Sequence, residues 1–189
     1  MNPEWAQYAW GNDQRIGGMT GQIFSERYRE QVLAKTEGKF DSSAMNRALT
    51  QAHTIDQTLE PKLLSALQVA RYVDGQDTCD YSVVAGIATQ LLIGTGLETN
   101  ADTLSVRLFA DEDLAKRTHA RTSTAQALIG RFDLRGIPQL LVRTENITIP
   151  LNSSHLYQGV EKLVTEIRKT VVSAQISAVS PRNLAHGRR

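Results

Sequence analysis

Among its 189 residues the sequence holds a single cysteine, Cys79. One thiol cannot close an internal disulfide, and oxidising compartments favour paired cysteines, so a disulfide-stapled secreted scaffold is excluded. An excess of charge of one sign is also lacking: 21 Lys and Arg stand against 20 Asp and Glu, for a formal net charge of +1. That balance gives no field to draw the chain to nucleic acid or to a membrane surface. The basic residues concentrate only at Arg182, His186, Arg188 and Arg189, which read as a solvated tail. No apolar run approaches the roughly 18 residues of a membrane span. Met1-Asn2-Pro3-Glu4-Trp5 has neither the basic start nor the apolar stretch of a secretory signal, so the expectation is a cytoplasmic protein without nucleic-acid or membrane partners. What is present, 41% hydrophobic and 22% charged residues, suits a globular chain with a substantial core.

From the start to about residue 130 the pattern is helical, with apolar residues recurring at spacings of three and four and breakers between segments. A first helix is predicted over about 3 to 19, with Pro3 near its start and the Thr20-Gly21 break at its end. Ser25 caps a second, through Tyr28, Val32 and Leu33, which Gly38 ends. Asp41, Ser42 or Ser43 caps a third through Met45, Ala48, Leu49 and Ala52. Pro61 stands where a first helical turn tolerates proline, and Leu63, Leu64, Leu67 and Ala70 line one face of a helix that stops at Asp74-Gly75. Asp80 caps an apolar helix closed by Gly94-Thr95-Gly96, and Ala101 to Phe109 forms another. Asp111, Glu112 and Asp113 ahead of Lys116, Arg117 and Arg121 suit the dipole of a longer one.

After Gly130 the character changes. Gln139 to Val142 and Ile147 to Leu151 read as strands joined by a tight turn at Thr144-Glu145-Asn146, an antiparallel hairpin. Ser153 or Ser154 caps a final helix with Leu156, Val160, Leu163, Val164, Ile167 and Val171 on one face, and periodicity is lost from Ser173. The expected organisation is a helical domain over 1–130, a hairpin-and-helix part over 131–174 and a disordered tail over 175–189. A two-stranded hairpin with one helix is marginal alone, so it is expected to end a larger sheet or to borrow strands from another chain.

Most candidates for chemistry have plainer readings. His53, His119, His155 and His186 show no metal-ligand spacing with one another or with Cys79, and no metal site is expected. Gly94-Thr95-Gly96 lacks the third glycine and the preceding strand of a dinucleotide site, so it reads as a helix break and no cofactor is expected. Gly17-Gly18 marks a bend or close packing, and Trp5, Tyr8 and Trp10 read as aromatics packed on the domain rather than as a binding face. Cys79 stands in Asp77-Thr78-Cys79-Asp80, where a carboxylate on either side disfavours the thiolate that nucleophilic chemistry requires. It reads as a helix-flanking residue, and no catalytic residue is expected within the chain. The segment that remains is Arg135-Gly136-Ile137-Pro138 followed by Gln139-Leu140-Leu141-Val142, a Gly-x-Pro turn opening directly into an apolar strand.

A block of helices, then Gly-Ile-Pro, a hairpin and a terminal helix resembles the C-terminal three-quarters of DsbA-family thioredoxin-fold proteins, above all the FrnE-like, protein-disulfide-isomerase-like branch. Three stretches carry the resemblance: Arg15 to Phe24 with its Thr20-Gly21-Gln22-Ile23-Phe24 turn, Leu67 to Asp77, and Leu134 to Val142. It implies an α/β protein with a thioredoxin-like fold, a large all-helical insertion, and thiol–disulfide exchange on protein or peptide thiols. It also implies that Pro138 is a cis-proline and that Gly136, Ile137 and Pro138 bind substrate, the backbone at Ile137 pairing with an extended segment. The family pattern begins with a strand, a Cys-x-x-Cys helix and a second strand, and that βαβ part is missing from this chain; the expectation is redox inactivity as given. Two alternatives stand beside this reading: a non-catalytic binding or assembly module that dimerises through an exposed sheet edge, and a relative of kappa-class glutathione transferases and isomerases.

Overall fold

The computed structural model of the chain describes residues 2–35, 40–93, 100–136, 138–145 and 147–179. The chain forms two compact units, Met1–Thr124 and Ala125–Arg189. In the first, α1 (Pro3–Thr20) starts under Asn2, whose side chain accepts the Trp5 N–H at 2.7 Å, and ends at Gly21. Ser25 caps α2 (Glu26–Tyr28), which runs on as a π turn over Arg29–Leu33. The second helix therefore ends at Leu33 with Ala34 as its cap, earlier than the expected stop at Gly38, which lies outside the described residues. A wide turn of this kind follows from tertiary packing, which here buries Tyr28, Val32 and Leu33 together against Trp10, Phe24 and Tyr72.

Next come α3 (Ser43–Ile55), α4 (Leu59–Tyr72), α5 (Tyr81–Leu92), α6 (Ala101–Ala110) and α7 (Glu112–Arg131). Their buried residues recur every four positions: Ala44, Ala48 and Ala52 on α3; Leu59, Leu63 and Leu67 on α4; Ala88 and Leu92 on α5; Leu104 and Leu108 on α6. Small alanines facing leucines let the helix backbones approach closely, and each fully buried leucine contributes about 1.5–3 kcal/mol of apolar transfer. Arg47 ties α3 to the end of α6, donating to the Phe109 carbonyl at 2.7 Å, which the helix end leaves without an internal donor, and to the Asp111 carbonyl at 2.6 Å, which also accepts the Ala115 N–H at 3.0 Å. His53, Glu60 and Arg121 join α3, α4 and α7: the Glu60 carboxylate lies 2.6 Å from His53 Nδ1 and pairs with the Arg121 guanidinium. Gly75 has φ 70°, and a Cβ there would meet the backbone of Arg27 at 2.8 Å, so this turn admits glycine alone. Gly17 is needed for packing, since its Cβ would stand 2.9 Å from the Gln22 carbonyl.

The second unit holds the hairpin. β1 (Leu140–Arg143) pairs antiparallel with β2 (Thr148–Leu151), Leu140 opposite Leu151 and Arg143 opposite Thr148. The connecting turn is closed by the Thr144 N–H donating to the Ile147 carbonyl at 2.8 Å. Asn152, rather than Ser153 or Ser154, is the next cap, and the helix it starts is a 3₁₀ turn over Ser153–Tyr157; an asparagine carbonyl reaching the Ser154 N–H at 3.0 Å captured the first free donor. Gly159 then separates this turn from α8 (Val160–Val179). The helix thus continues beyond Ser173, where loss of periodicity was expected, and past the start of the expected tail at 175. No helix among the described residues is long and apolar enough to cross a membrane.

Candidate functional site

The loop between α7 and β1 carries the residues singled out in the sequence. After α7 the chain turns through Asp133 at φ 46° and Gly136 at φ 74°, both in the left-handed region, and enters β1 behind Pro138. Gly136 and Pro138 are solvent-exposed, while Ile137, and with it the geometry of the bond into Pro138, lies outside the described residues. Gln139 turns back across the loop, its Nε2 donating to the carbonyls of Arg135 at 2.8 Å and Gly136 at 3.2 Å. Sequence reasoning took Gln139 as a strand residue only; an amide directly after Gly-x-Pro, able to satisfy the carbonyls of a turn too tight to satisfy its own, was the available signal. Pro150 in β2 has no N–H, which is compatible with a strand at a sheet edge.

Cys79 lies in the helical unit and is half-buried. Its thiol donates to the Asp41 carbonyl at 3.1 Å, and its own N–H donates to Asp77 at 3.1 Å. The flanking carboxylates have partners of their own: Asp77 pairs with Lys35 at 2.7 Å, and Asp80 caps α5 through the Ser82 N–H at 2.7 Å. Burial works to raise the Asp77 carboxyl, but the Lys35 and Cys79 hydrogen bonds outweigh it and hold it below the ordinary carboxylate range. The helix-flanking reading describes the place well; what the sequence could not give is the Arg71 guanidinium, 4.0 Å from the sulfur and donating to Thr78 Oγ1 at 2.9 Å.

Arg71 also borders a cavity of ≈ 350 Å³ in the same unit, walled by Trp5, Ala9, Phe40 and Met45 and carrying Asp13, Tyr28 and Tyr72. Only 5% of Arg71 is exposed, and its guanidinium stacks over the Phe40 ring at 4.4 Å. Tyr28 donates to Asp13 Oδ2 at 2.9 Å. Burial raises the Asp13 carboxyl above its ordinary value against the opposing pull of the Tyr28 hydrogen bond and of Arg71. Burial likewise raises Tyr28, with the Asp13 charge adding to it, and raises Tyr72. Trp10 packs on Tyr28, as expected of a domain aromatic, whereas Trp5 stands edge-on to Phe40 at 5.3 Å and Tyr8 is exposed. Among the described residues no group of three His, Cys, Asp or Glu side chains is arranged to hold a metal ion.

No family model and no curated protein sequence matches the chain. Solved structures do. The cytosolic disulfide reductase DsbM from Pseudomonas aeruginosa is 21% identical over 90% of this chain and 77% of its own, with a TM-score of 0.68. The same reductase with GSH is 20% identical over 87% of this chain and 74% of its own, with a TM-score of 0.64. A candidate protein disulfide isomerase from Nitrosomonas europaea is 17% identical over 92% of this chain and 76% of its own, with a TM-score of 0.69. Likeness at this identity shows the fold: the chain has a thioredoxin-like fold with a large all-helical insertion.

Proposed function

We propose that this chain is a thiol–disulfide exchange protein of the DsbA and FrnE type, acting on protein or peptide thiols in the cytoplasm, and that these 189 residues supply its substrate-holding surface. The observation that carries the reading is the exposure of Gly136 and Pro138 on a loop pinned by the Gln139 amide and opening into β1 within a thioredoxin-like fold. A loop that leads into a strand can receive an extended polypeptide by main-chain pairing, and in this reading Gly136, Ile137 and Pro138 form the contact. Disulfide exchange itself needs a thiolate attacking a sulfur and a second thiol to resolve the product, whereas Cys79 is the one thiol these residues hold and is engaged with Asp41. The 189 residues alone are therefore redox-inactive in this reading.

The test is fluorescence anisotropy with a reduced, alkylated, unfolded polypeptide, alongside an insulin-reduction assay. The expected result is saturable binding that Pro138→Ala weakens about tenfold (about 1.4 kcal/mol) at unchanged melting temperature, with no catalysed reduction. Undiminished binding by Pro138→Ala would overturn the substrate-holding role, and catalysed reduction by the chain would overturn its inactivity.

A second reading is favoured by the sheet. Its two strands pair with each other, and Pro150 suits an outer edge, so a partner strand, from another segment or from a second copy of the chain, would extend it. That module predicts oligomers in light scattering, without thiol chemistry.

A further inference from the structure

The cavity at Arg71 belongs to the helical unit and is built without any residue of the Gly136–Gln139 loop. Charges of both signs border it: Arg71, and the acidic residues Asp13 and Asp41. Arg71 is 95% withdrawn from solvent, yet among the described residues no carboxylate forms an ion pair with it; it meets a hydroxyl, a sulfur and an aromatic face. Asp13 gives one oxygen to the Tyr28 hydroxyl and forms no ion pair among the described residues either. A buried guanidinium and a desolvated carboxylate that border one space without touching keep unspent coordinating capacity: planar donors on one side and a carboxylate oxygen on the other. Ser42 and Asp41, whose carboxylate accepts the Ser43 N–H at 2.9 Å, add polar wall beside them, and Trp5, Ala9, Phe40 and Met45 supply the apolar and aromatic part.

We infer that this cavity binds a small zwitterion of the free amino-acid class, its carboxylate on Arg71, its ammonium on Asp13 and an apolar side chain against Trp5, Phe40 and Met45. The volume of ≈ 350 Å³ lies at the lower end of small-ligand sites and suits a single residue rather than a peptide. A simple anion would meet the guanidinium but be repelled by Asp13, and a simple cation would meet Asp13 but be repelled by Arg71. A molecule carrying both charges meets both the buried guanidinium and the half-buried Asp13 and leaves neither uncompensated. The Phe40 ring lies 4.4 Å from the guanidinium carbon, and the planar fork of a guanidinium favours a two-oxygen acceptor over a single-point one.

The test is isothermal titration calorimetry of the 189-residue chain with L-phenylalanine, 3-phenylpropanoate, which lacks the ammonium, and phenethylamine, which lacks the carboxylate. L-Phenylalanine is expected to bind at least tenfold more tightly than either analogue, and Arg71→Lys and Asp13→Asn are each expected to weaken it tenfold or more. Glu30→Gln, away from the cavity, should leave it unchanged. Asparagine retains the acceptor for Tyr28, so Asp13→Asn removes charge with little disturbance; should Arg71→Lys unfold the chain, the three-ligand comparison on the unaltered protein still decides. Equal binding of L-phenylalanine and 3-phenylpropanoate, or tighter binding in Asp13→Asn, would make this an anion site and overturn the inference, as would absence of binding by L-phenylalanine at millimolar concentration. Pro138→Ala should not alter this binding, which separates its failure from that of the proposed function.

Discussion

In the helical unit, α3 to α7 turn their apolar faces into one core where Leu63, Leu67, Val84, Leu108 and Leu114 are almost wholly withdrawn from solvent. In the second unit, Leu151 is the one buried side chain among the described residues, while Val160, Val164 and Val172 of α8 are exposed. The contrast follows from how each kind of element satisfies itself. A helix bonds its own backbone and needs only a partner for its apolar stripe, which neighbouring helices of low sequence separation supply. A hairpin needs strands beside it and a layer over it, and two strands supply neither in full. The helical unit thus carries its own stability, and the hairpin's depends on what its edges and faces meet.

The sharpest way to break this comparison is to cut one leucine from each unit. Leu67→Ala should cost about 4 kcal/mol, because it leaves a void among packed helices, whereas Leu151→Ala should cost about 1–2 kcal/mol where neighbours are fewer. Urea denaturation measures both, and equal losses would mean that the hairpin is packed as tightly as the bundle. A smaller effect sharpens the helical side: Gly75→Ala combines a positive φ with a Cβ clash on Arg27 and should lower stability by about 2 kcal/mol in thermal unfolding. A melting temperature within a degree of the unaltered chain would show that the turn relaxes freely.

The smallest effect is acid sensitivity. Burial pushes the Glu60 carboxyl up, but hydrogen bonds from Arg121 and His53 outweigh it, so its native pKa lies below the ordinary value of 4.5. A depressed carboxyl stabilises the folded state above its unfolded pKa, and that contribution is lost as pH falls through the lower native value. The melting temperature should therefore decline as pH drops below 4.5, and Glu60→Gln should flatten part of the decline. An unchanged slope in the variant would assign acid sensitivity to other depressed carboxyls, such as Asp77 and Asp80.

Much of the fold was legible because its signals are local. Ser25 and Asp80 cap the helices the sequence gives them, Asp111 accepts the Leu114 N–H at 2.8 Å, and the hairpin forms around the turn at Thr144, with its first strand one residue later, over Leu140–Arg143, than the expected Gln139–Val142. The misses are places where a local signal had rivals. Two serines looked like caps after β2, and Asn152, one residue earlier, took the role; Gly38 looked like a stop, and packing of Tyr28, Val32 and Leu33 against aromatics ended the helix sooner through a π turn. Of the candidate site, Gly136, Ile137 and Pro138 came from the family resemblance that the Gly-x-Pro turn carries, whereas the Gln139 clasp that pins their loop had not been read.

By itself the sequence determined the order of helices, the hairpin and the Gly-x-Pro loop, because caps, breakers and periodicity act over a few residues. Only the tertiary structure decided that Arg71, which reads as one more polar position near the end of α4, is buried beside Cys79 and faces Asp13 across a cavity. These groups lie far apart along the chain, and α1, α4 and the segment at Phe40 meet there only because aromatic packing, which has no local sequence signature, draws them together.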